Sequence, residues 1–164
     1  MAEVKFKFNA EDYYYAALER RNEAQHLYVK EHYSLSIYVT GLSIECLLRA
    51  FKYKKDKTFD ERHDIKVLLK FSGFSEEIND HDIQIEIHTA INTVYAIWRN
   101  NLRFMSKNKM KKYLKDIGRD KGFYKNFPKS ADTLKCNSRK LLDASYKIFN
   151  RGVSIWEKKF LKKK

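Results

Sequence analysis

The sequence predicts an all-α protein, a single-domain antiparallel bundle of about five or six helices. Five Gly and one Pro in 164 residues are too few for the many tight turns of an all-β fold. The chain is 43% hydrophobic and 15% aromatic, which suffices for one core, whereas two smaller domains would each be marginal. Apolar residues recur at helical spacing. We expect one domain over 1–164, with a core at 9–104, a basic mobile segment at 105–127 and a long basic C-terminal helix at 128–164.

The first two predicted helices have clear boundaries. Asn9 precedes AEDYYYAALERRNEAQHLYVK, and an Asn followed by acidic residues is typical of an N-cap, so a helix is predicted to about Lys30. The next segment runs from His32 to about Lys55 and is apolar around most of its circumference. We therefore expect the second helix to be the central, buried element of the bundle.

Two further helices are predicted after a charged loop. The stretch IKVLLKFSG forms a short third helix that Gly73 closes as a C-cap. In the next segment Ile83, Ile85 and Ile87 alternate as they would in a strand. The helical spacing persists over more residues, namely Ile83, Ile87, Ile91, Val94 and Trp98. A fourth helix is therefore favoured over a strand.

The last third of the chain is strongly basic. Residues 105–127 interleave Lys with aromatics and contain two Gly, which predicts a mobile, solvent-facing segment. After Pro128, Ser130 can cap a final helix with a broad apolar face. A basic stripe runs along that helix, because four cations fall within about 20° of one direction: Lys140, Lys147, Arg151 and Lys158.

The charge is unevenly distributed along the chain. Residues 1–98 hold 13 Lys and Arg against 16 Asp and Glu, a net charge of −3. Residues 99–164 hold 21 against 5, a net charge of +16. A segment with this charge attracts nucleic acid or an acidic protein without any base-specific contact. A solvated basic face that binds nothing has the same composition.

Other signals are weak or absent. The N-terminus has no apolar signal region and no window approaches the apolar length of a membrane span, so we expect a cytoplasmic protein without a membrane partner. Cys46 and Cys136 lack metal-ligand spacing, and Cys46 reads as a buried thiol. His81 and His88 lie two helical turns apart, too far to chelate one ion. No metal and no cofactor is expected.

Several stretches together resemble the HEPN domain, the higher eukaryotes and prokaryotes nucleotide-binding family. They are GLSIECLLRA in the second helix, with Arg49 where the family has Lys, then the stretch His63, Asp64, Ile65 that opens the third helix, and Trp98 with Arg103 and Phe104 at the close of the fourth. The match spans roughly 10–104. The resemblance implies an antiparallel helical bundle, frequent homodimerisation and roles centred on RNA or nucleotides, often in toxin–antitoxin or phage-defence systems.

The resemblance also implies where a ribonuclease site would lie. Catalytic HEPN members place an Arg, a polar residue and a His on the final core helix, across a dimer cleft. At that place this sequence has Arg99 and Asn100 but no His through Ser106. The chain is therefore interpreted as a divergent member without the usual motif.

A second Arg and His pair satisfies the same spacing on the first helix. Arg21 and His26 lie five residues apart, a combination that can transfer protons and hold phosphate during RNA cleavage. Nine Arg and five His in this length, with three allowed Arg-to-His spacings, predict about 0.8 such matches by chance. Five residues also turn a helix by about 140°, so the two side chains should point to different sides.

A polar network is predicted within the core. Glu45 and Arg49 lie four residues apart on the helix that should be buried, and buried charges are costly unless they are paired. We interpret Glu45, Arg49 and His63, with Arg103 as a further candidate, as a network that fixes the packing of three helices rather than as a ligand site.

Three functions remain open. The first is a non-catalytic RNA- or nucleotide-binding module, with Tyr113, Phe123 and Tyr124 available to stack on bases. Its predicted binding residues are Arg99, Arg103, Lys107, Lys109, Lys111, Lys112, Tyr113, Lys140, Lys147 and Arg151. The second is a metal-independent endoribonuclease toxin, with Arg21, His26 and Arg99 as candidate catalytic residues. The third is a protein that grips an acidic, antitoxin-like partner through its basic half.

Overall fold

The computed structural model describes residues 8–58, 63–120 and 132–161, and six α-helices dominate this part of the chain. The helices are α1 (Ala10–Val29), α2 (Tyr33–Asp56), α3 (Ile65–Ser72), α4 (His81–Ile97), α5 (Lys107–Asp116) and α6 (Thr133–Trp156). The described residues contain no strand. The expected all-α bundle of five or six helices is confirmed.

Local capping signals set most helix boundaries. The Asn9 side chain accepts a hydrogen bond from the Asp12 backbone N–H at 2.9 Å, and the Asp12 carboxylate accepts one from the Asn9 backbone N–H at 2.8 Å. Gly73 ends α3 with a φ of 76°, a conformation that favours glycine. Both boundaries agree with the sequence prediction because each depends on residues within one turn.

Helix α2 is the centre of the bundle, as its composition predicts. It packs against α1, α3 and α6, and its fully buried residues include Ile37, Ile44, Leu47 and Leu48. By length and composition α2 could cross a membrane, so the expectation that no window is apolar enough for this was wrong. Within the bundle 72% of that apolar window is buried, as in the core helix of a soluble protein.

The fourth helix ends earlier than the apolar spacing predicts, because Trp98 leaves the helix to fill a gap beside α2. Its indole Nε1 donates to the Tyr38 carbonyl at 2.9 Å, and its ring lies against Gly41. A Cβ atom at Gly41 would stand 2.1 Å from Trp98 Cδ1. The chain then continues through a 3₁₀ turn, Asn100–Phe104, into α5.

The C-terminal third differs from the sequence prediction in two places. Residues Lys107–Asp116, expected to be mobile and solvent-facing, form α5, which has Met110 and Leu114 fully buried. The final helix begins at Thr133, where the Asp132 side chain accepts from the Leu134 N–H at 2.9 Å. Ser130, the expected cap, and residues 121–127 lie outside the described residues.

Candidate nucleic-acid interface

The end of α4 carries a stack of two cations around one aromatic ring. The Lys66 Nζ lies 4.3 Å from the centre of the Tyr95 ring, and the Arg99 guanidinium carbon lies 4.7 Å from it. Arg99 also donates to the Trp98 carbonyl at 2.7 Å and to the Tyr95 carbonyl. Arg99 therefore caps the end of α4 while its side chain stays largely exposed. Neither Lys66 nor Tyr95 was predicted from the sequence. Only the packing of α3 on α4 brings Lys66 to this ring, whereas Tyr95 lies four residues before Arg99, a spacing that was a usable signal.

Further cations extend from this stack along the 3₁₀ turn and α5. We call the following six exposed residues the basic surface: Arg99, Arg103, Lys107, Lys109, Lys111 and Lys112. Between residues 99 and 120 the sequence holds eight Lys or Arg against two Asp. Within the described residues none of the six pairs with a carboxylate. Ion pairs among the described residues therefore do not neutralise the positive field of this surface.

An exposed aromatic side chain lies within the basic surface. Phe104 is 78% exposed, and the Arg103 guanidinium carbon lies 4.7 Å from the centre of its ring. A ring this exposed beside a cation can stack on a nucleic-acid base. From the sequence, Phe104 was predicted only to mark the family resemblance, although an aromatic residue directly after an Arg was a usable signal for base stacking.

Tyr113, which was expected to stack on bases, is instead partly buried against the core. Its hydroxyl donates to the Ile97 carbonyl at 2.7 Å. Burial raises the pKa of this phenol, and the nearby Arg99 charge opposes part of the rise. The ring is engaged in holding α5 against the end of α4. Phe123 and Tyr124 lie outside the described residues.

The predicted stripe on α6 lies on another side of the molecule. Lys140 and Lys147 line a groove between α4 and α6, and Lys147 pairs with Glu86 at 2.9 Å. On α4, Glu86 and Thr89 are turned by about 120–180° from Tyr95. Arg151 is half-buried, and its Nε has no hydrogen-bond partner. The predicted binding residues therefore split into two groups that α4 separates.

The structure brings Glu45, Arg49 and His63 together. Glu45 Oε1 lies 2.8 Å from Arg49 Nε and 2.8 Å from His63 Nδ1. The Glu45 and Arg49 side chains are almost fully buried, whereas the His63 side chain is 47% exposed. Glu45 Oε2 is buried and has no hydrogen-bond partner. Arg103 lies at the surface over Phe104, which conflicts with a place in this buried network.

The environment of the Cys46 thiol, next to this network, makes it unreactive. Cys46 is a free cysteine, and burial raises the pKa of its thiol to about 11, with the negative charge of Glu45 contributing in the same direction. Burial also raises the pKa of the Cys136 thiol. Neither cysteine has the lowered pKa of a nucleophile.

Arg21 and His26 are not brought together. The Arg21 guanidinium carbon lies 5.3 Å from the Phe149 ring centre and 5.6 Å from that of Tyr146, both on α6. His26 is exposed in the last turn of α1. The two side chains diverge as the helical step of about 140° predicts. His81 and His88 are both exposed, and the described residues hold no cluster of three potential metal ligands.

The fold and the surface define a class, a small helical bundle with a concentrated cationic face. A family model described as the HEPN domain matches residues 10–119, which is more than half of the chain. The chain belongs to the HEPN family. No curated protein and no solved structure is similar enough to count as a match. The family match extends past 104 to include α5, so the basic surface lies within the HEPN domain.

Proposed function

We propose that this HEPN domain binds single-stranded RNA through the basic surface and does not cleave it. The observation that carries the proposal is the run of six exposed cations between residues 99 and 112, none of them paired with a carboxylate of the described residues, together with the exposed ring of Phe104 beside Arg103. Cations that follow a strand's phosphates, with an aromatic ring for its bases, are the usual elements of sequence-tolerant single-strand binding. The proposed setting is cytoplasmic, in a toxin–antitoxin or phage-defence system, with a homodimer as the working assembly.

The non-catalytic part of the proposal follows from the side chains near Arg99. Metal-independent RNA cleavage requires a group that exchanges protons with the 2′-hydroxyl and the leaving oxygen. The six residues of the basic surface are all Arg or Lys, so none of them supplies the imidazole or carboxylate that usually makes this exchange. The Arg99 guanidinium is also held by the carbonyls of Tyr95 and Trp98, which favours a positioning role at the helix end.

The test is fluorescence anisotropy with a labelled 12-nucleotide oligouridine across a series of salt concentrations. Replacing Lys107, Lys109 and Lys111 with Gln should weaken binding by about tenfold or more and reduce the slope of log K against log salt by about 2. The matched control replaces three lysines of the other stripe, Lys140, Lys147 and Lys158, with Gln. Both triple variants lose the same charge, so an equal loss of affinity would contradict the basic surface as the site.

The same samples test cleavage. Intact RNA after prolonged incubation with chelator is the expected result. RNA fragments that appear with the wild type and disappear with His26→Ala would instead support the endoribonuclease alternative. Absence of RNA binding at low salt would contradict the proposal and favour an acidic protein partner, for which the uncompensated cations are equally suited.

A further inference from the structure

A cleft opens between α3 and α4 next to the basic surface. Its volume is about 410 Å³, within the range of small-ligand pockets. The buried side chains of Leu69 and Ile91 form an apolar floor. The polar residues that line it are Lys66, Lys70, Ser75, Glu76, His88 and Asn92. An apolar floor with a cationic and amide rim fits a flat ring that carries an anionic group.

The cleft adjoins the basic surface at one end, called here the open end, and the turn after α3 at the other, called here the closed end. At the open end, Lys66 contacts Tyr95 and so adjoins Arg99 of the basic surface. At the other end, the turn after α3 is fastened to α4, because Gln84 Nε2 donates to the Ile78 carbonyl at 2.6 Å and to the Ser75 carbonyl at 3.3 Å. A strand that entered from the basic surface would therefore run toward this turn.

The closed end is suited to a phosphate. The Ser75 hydroxyl oxygen is buried and has no hydrogen-bond partner, and a buried hydroxyl without a partner is costly. Among the described residues, Glu76 is the one acidic residue lining the cleft, and Lys55 pairs with both of its oxygens at 2.8 Å and 3.0 Å. With Glu76 neutralised, Lys70 leaves the rim of the cleft positive.

We propose that the α3–α4 cleft binds the terminal nucleotide of an RNA strand and selects strands that end in a phosphomonoester. The inference rests on the proposed RNA binding and names the substrate class of that surface. Lys70 and the Ser75 hydroxyl hold the terminal phosphate, Asn92 contacts the base edge, and Leu69 and Ile91 support the ring. A terminal phosphate carries more charge than an internal phosphodiester, so it gains more from this end of the site.

The experiment compares hexauridine probes with a 5′-phosphate, a 3′-phosphate or only hydroxyl ends, each labelled at the opposite end. We expect one phosphorylated end to bind about tenfold more tightly than the hydroxyl-ended probe. In Lys70→Gln and in Ser75→Ala this preference should fall to about twofold or less. The preference is the ratio of two affinities of one variant, so a general loss of RNA affinity does not change it. Lys147→Gln, which removes one exposed lysine on the other side of α4, should keep the full preference.

The outcomes separate the two proposals. If all three probes bind with equal affinity and binding still depends on salt, the proposed selection of phosphorylated ends is wrong, while the proposed RNA binding is supported. A preference that survives both Lys70→Gln and Ser75→Ala overturns the cleft as its source. If no oligouridine binds, uridine 5′- and 3′-monophosphate are titrated by NMR. Shifts that Lys70→Gln removes would then assign the cleft to free mononucleotides, and no shifts would overturn the inference.

Discussion

Glu45 and Arg49 are charged residues held in the core, with the half-exposed His63 at its edge, whereas the basic surface holds cations at the exterior. In the core, each charge has a partner within hydrogen-bond distance, because a buried charge without one destabilises the fold. On the basic surface, water and salt solvate the cations, so the fold does not require partners for them. The charges of Glu45 and Arg49 therefore specify how the helices pack, whereas the cations of the basic surface remain available to a polyanion.

The largest expected effect comes from breaking the buried network. Glu45→Ala leaves Arg49 buried without its carboxylate, so the free energy of unfolding should fall by about 3–5 kcal/mol and the melting temperature by roughly 10 °C. Circular dichroism at 222 nm during heating measures this. Glu19→Ala is the control, because Glu19 is exposed and lies 3.5 Å from Arg20. A Glu45→Ala melt like that of Glu19→Ala would refute the structural role.

The contact between Gly41 and Trp98 should have the next largest effect. In Gly41→Ala the new methyl group meets the indole ring, which should lower the free energy of unfolding by about 2–3 kcal/mol. Gly152→Ala is the comparison, because its Cβ would lie 2.8 Å from Leu47 Cδ2, the movable end of a side chain. The gain in helix propensity of about 1 kcal/mol should leave Gly152→Ala nearly neutral. Equal chemical-denaturation midpoints for the two variants would contradict this close approach.

Phe104→Ala tests the exposed region without disturbing the core. Because the ring is 78% exposed, the melting temperature should not change. Loss of base stacking should weaken oligouridine binding by about tenfold, as measured by anisotropy. Tyr15→Ala removes another exposed aromatic, on α1, and should leave the affinity unchanged. Full affinity in Phe104→Ala would show that bases do not stack there.

The smallest effect is expected at the surface pair of Glu11 and Lys54. The hydrogen bond from Lys54 lowers the pKa of the Glu11 carboxyl below its ordinary value of 4.5, against a smaller opposing effect of burial. A carboxyl with a lowered folded pKa stabilises the fold above pH 4.5, and this stability is lost as pH falls through the folded pKa.

Glu11→Gln should therefore cost about 0.5 kcal/mol or less at pH 7, because the pair is largely exposed and screened by solvent. The difference from wild type should shrink in urea titrations as the pH falls below 4.5 and through the lowered pKa of Glu11. A difference that grows as the pH falls would have the wrong sign for this pair.

Sequence patterns were sufficient where the cause is local. The Asn9 cap, the Gly73 C-cap and the apolar α2 each follow from residues within a few turns, and the pairing of Glu45 with Arg49 follows from their i and i+4 spacing. The concentration of positive charge after residue 98 is a property of composition alone. These features needed no tertiary information.

Tertiary structure decided the features whose cause lies far away in the chain. Trp98 leaves α4 because Gly41, 57 residues earlier, provides space beside α2. Helix α5 forms because Met110 and Leu114 become buried in the core, although its basic composition predicts a mobile segment. The stack of Lys66, Tyr95 and Arg99 and the cleft beside it exist only once α3 packs on α4. Local propensity encodes none of these contacts, because burial depends on which distant surface comes to lie opposite.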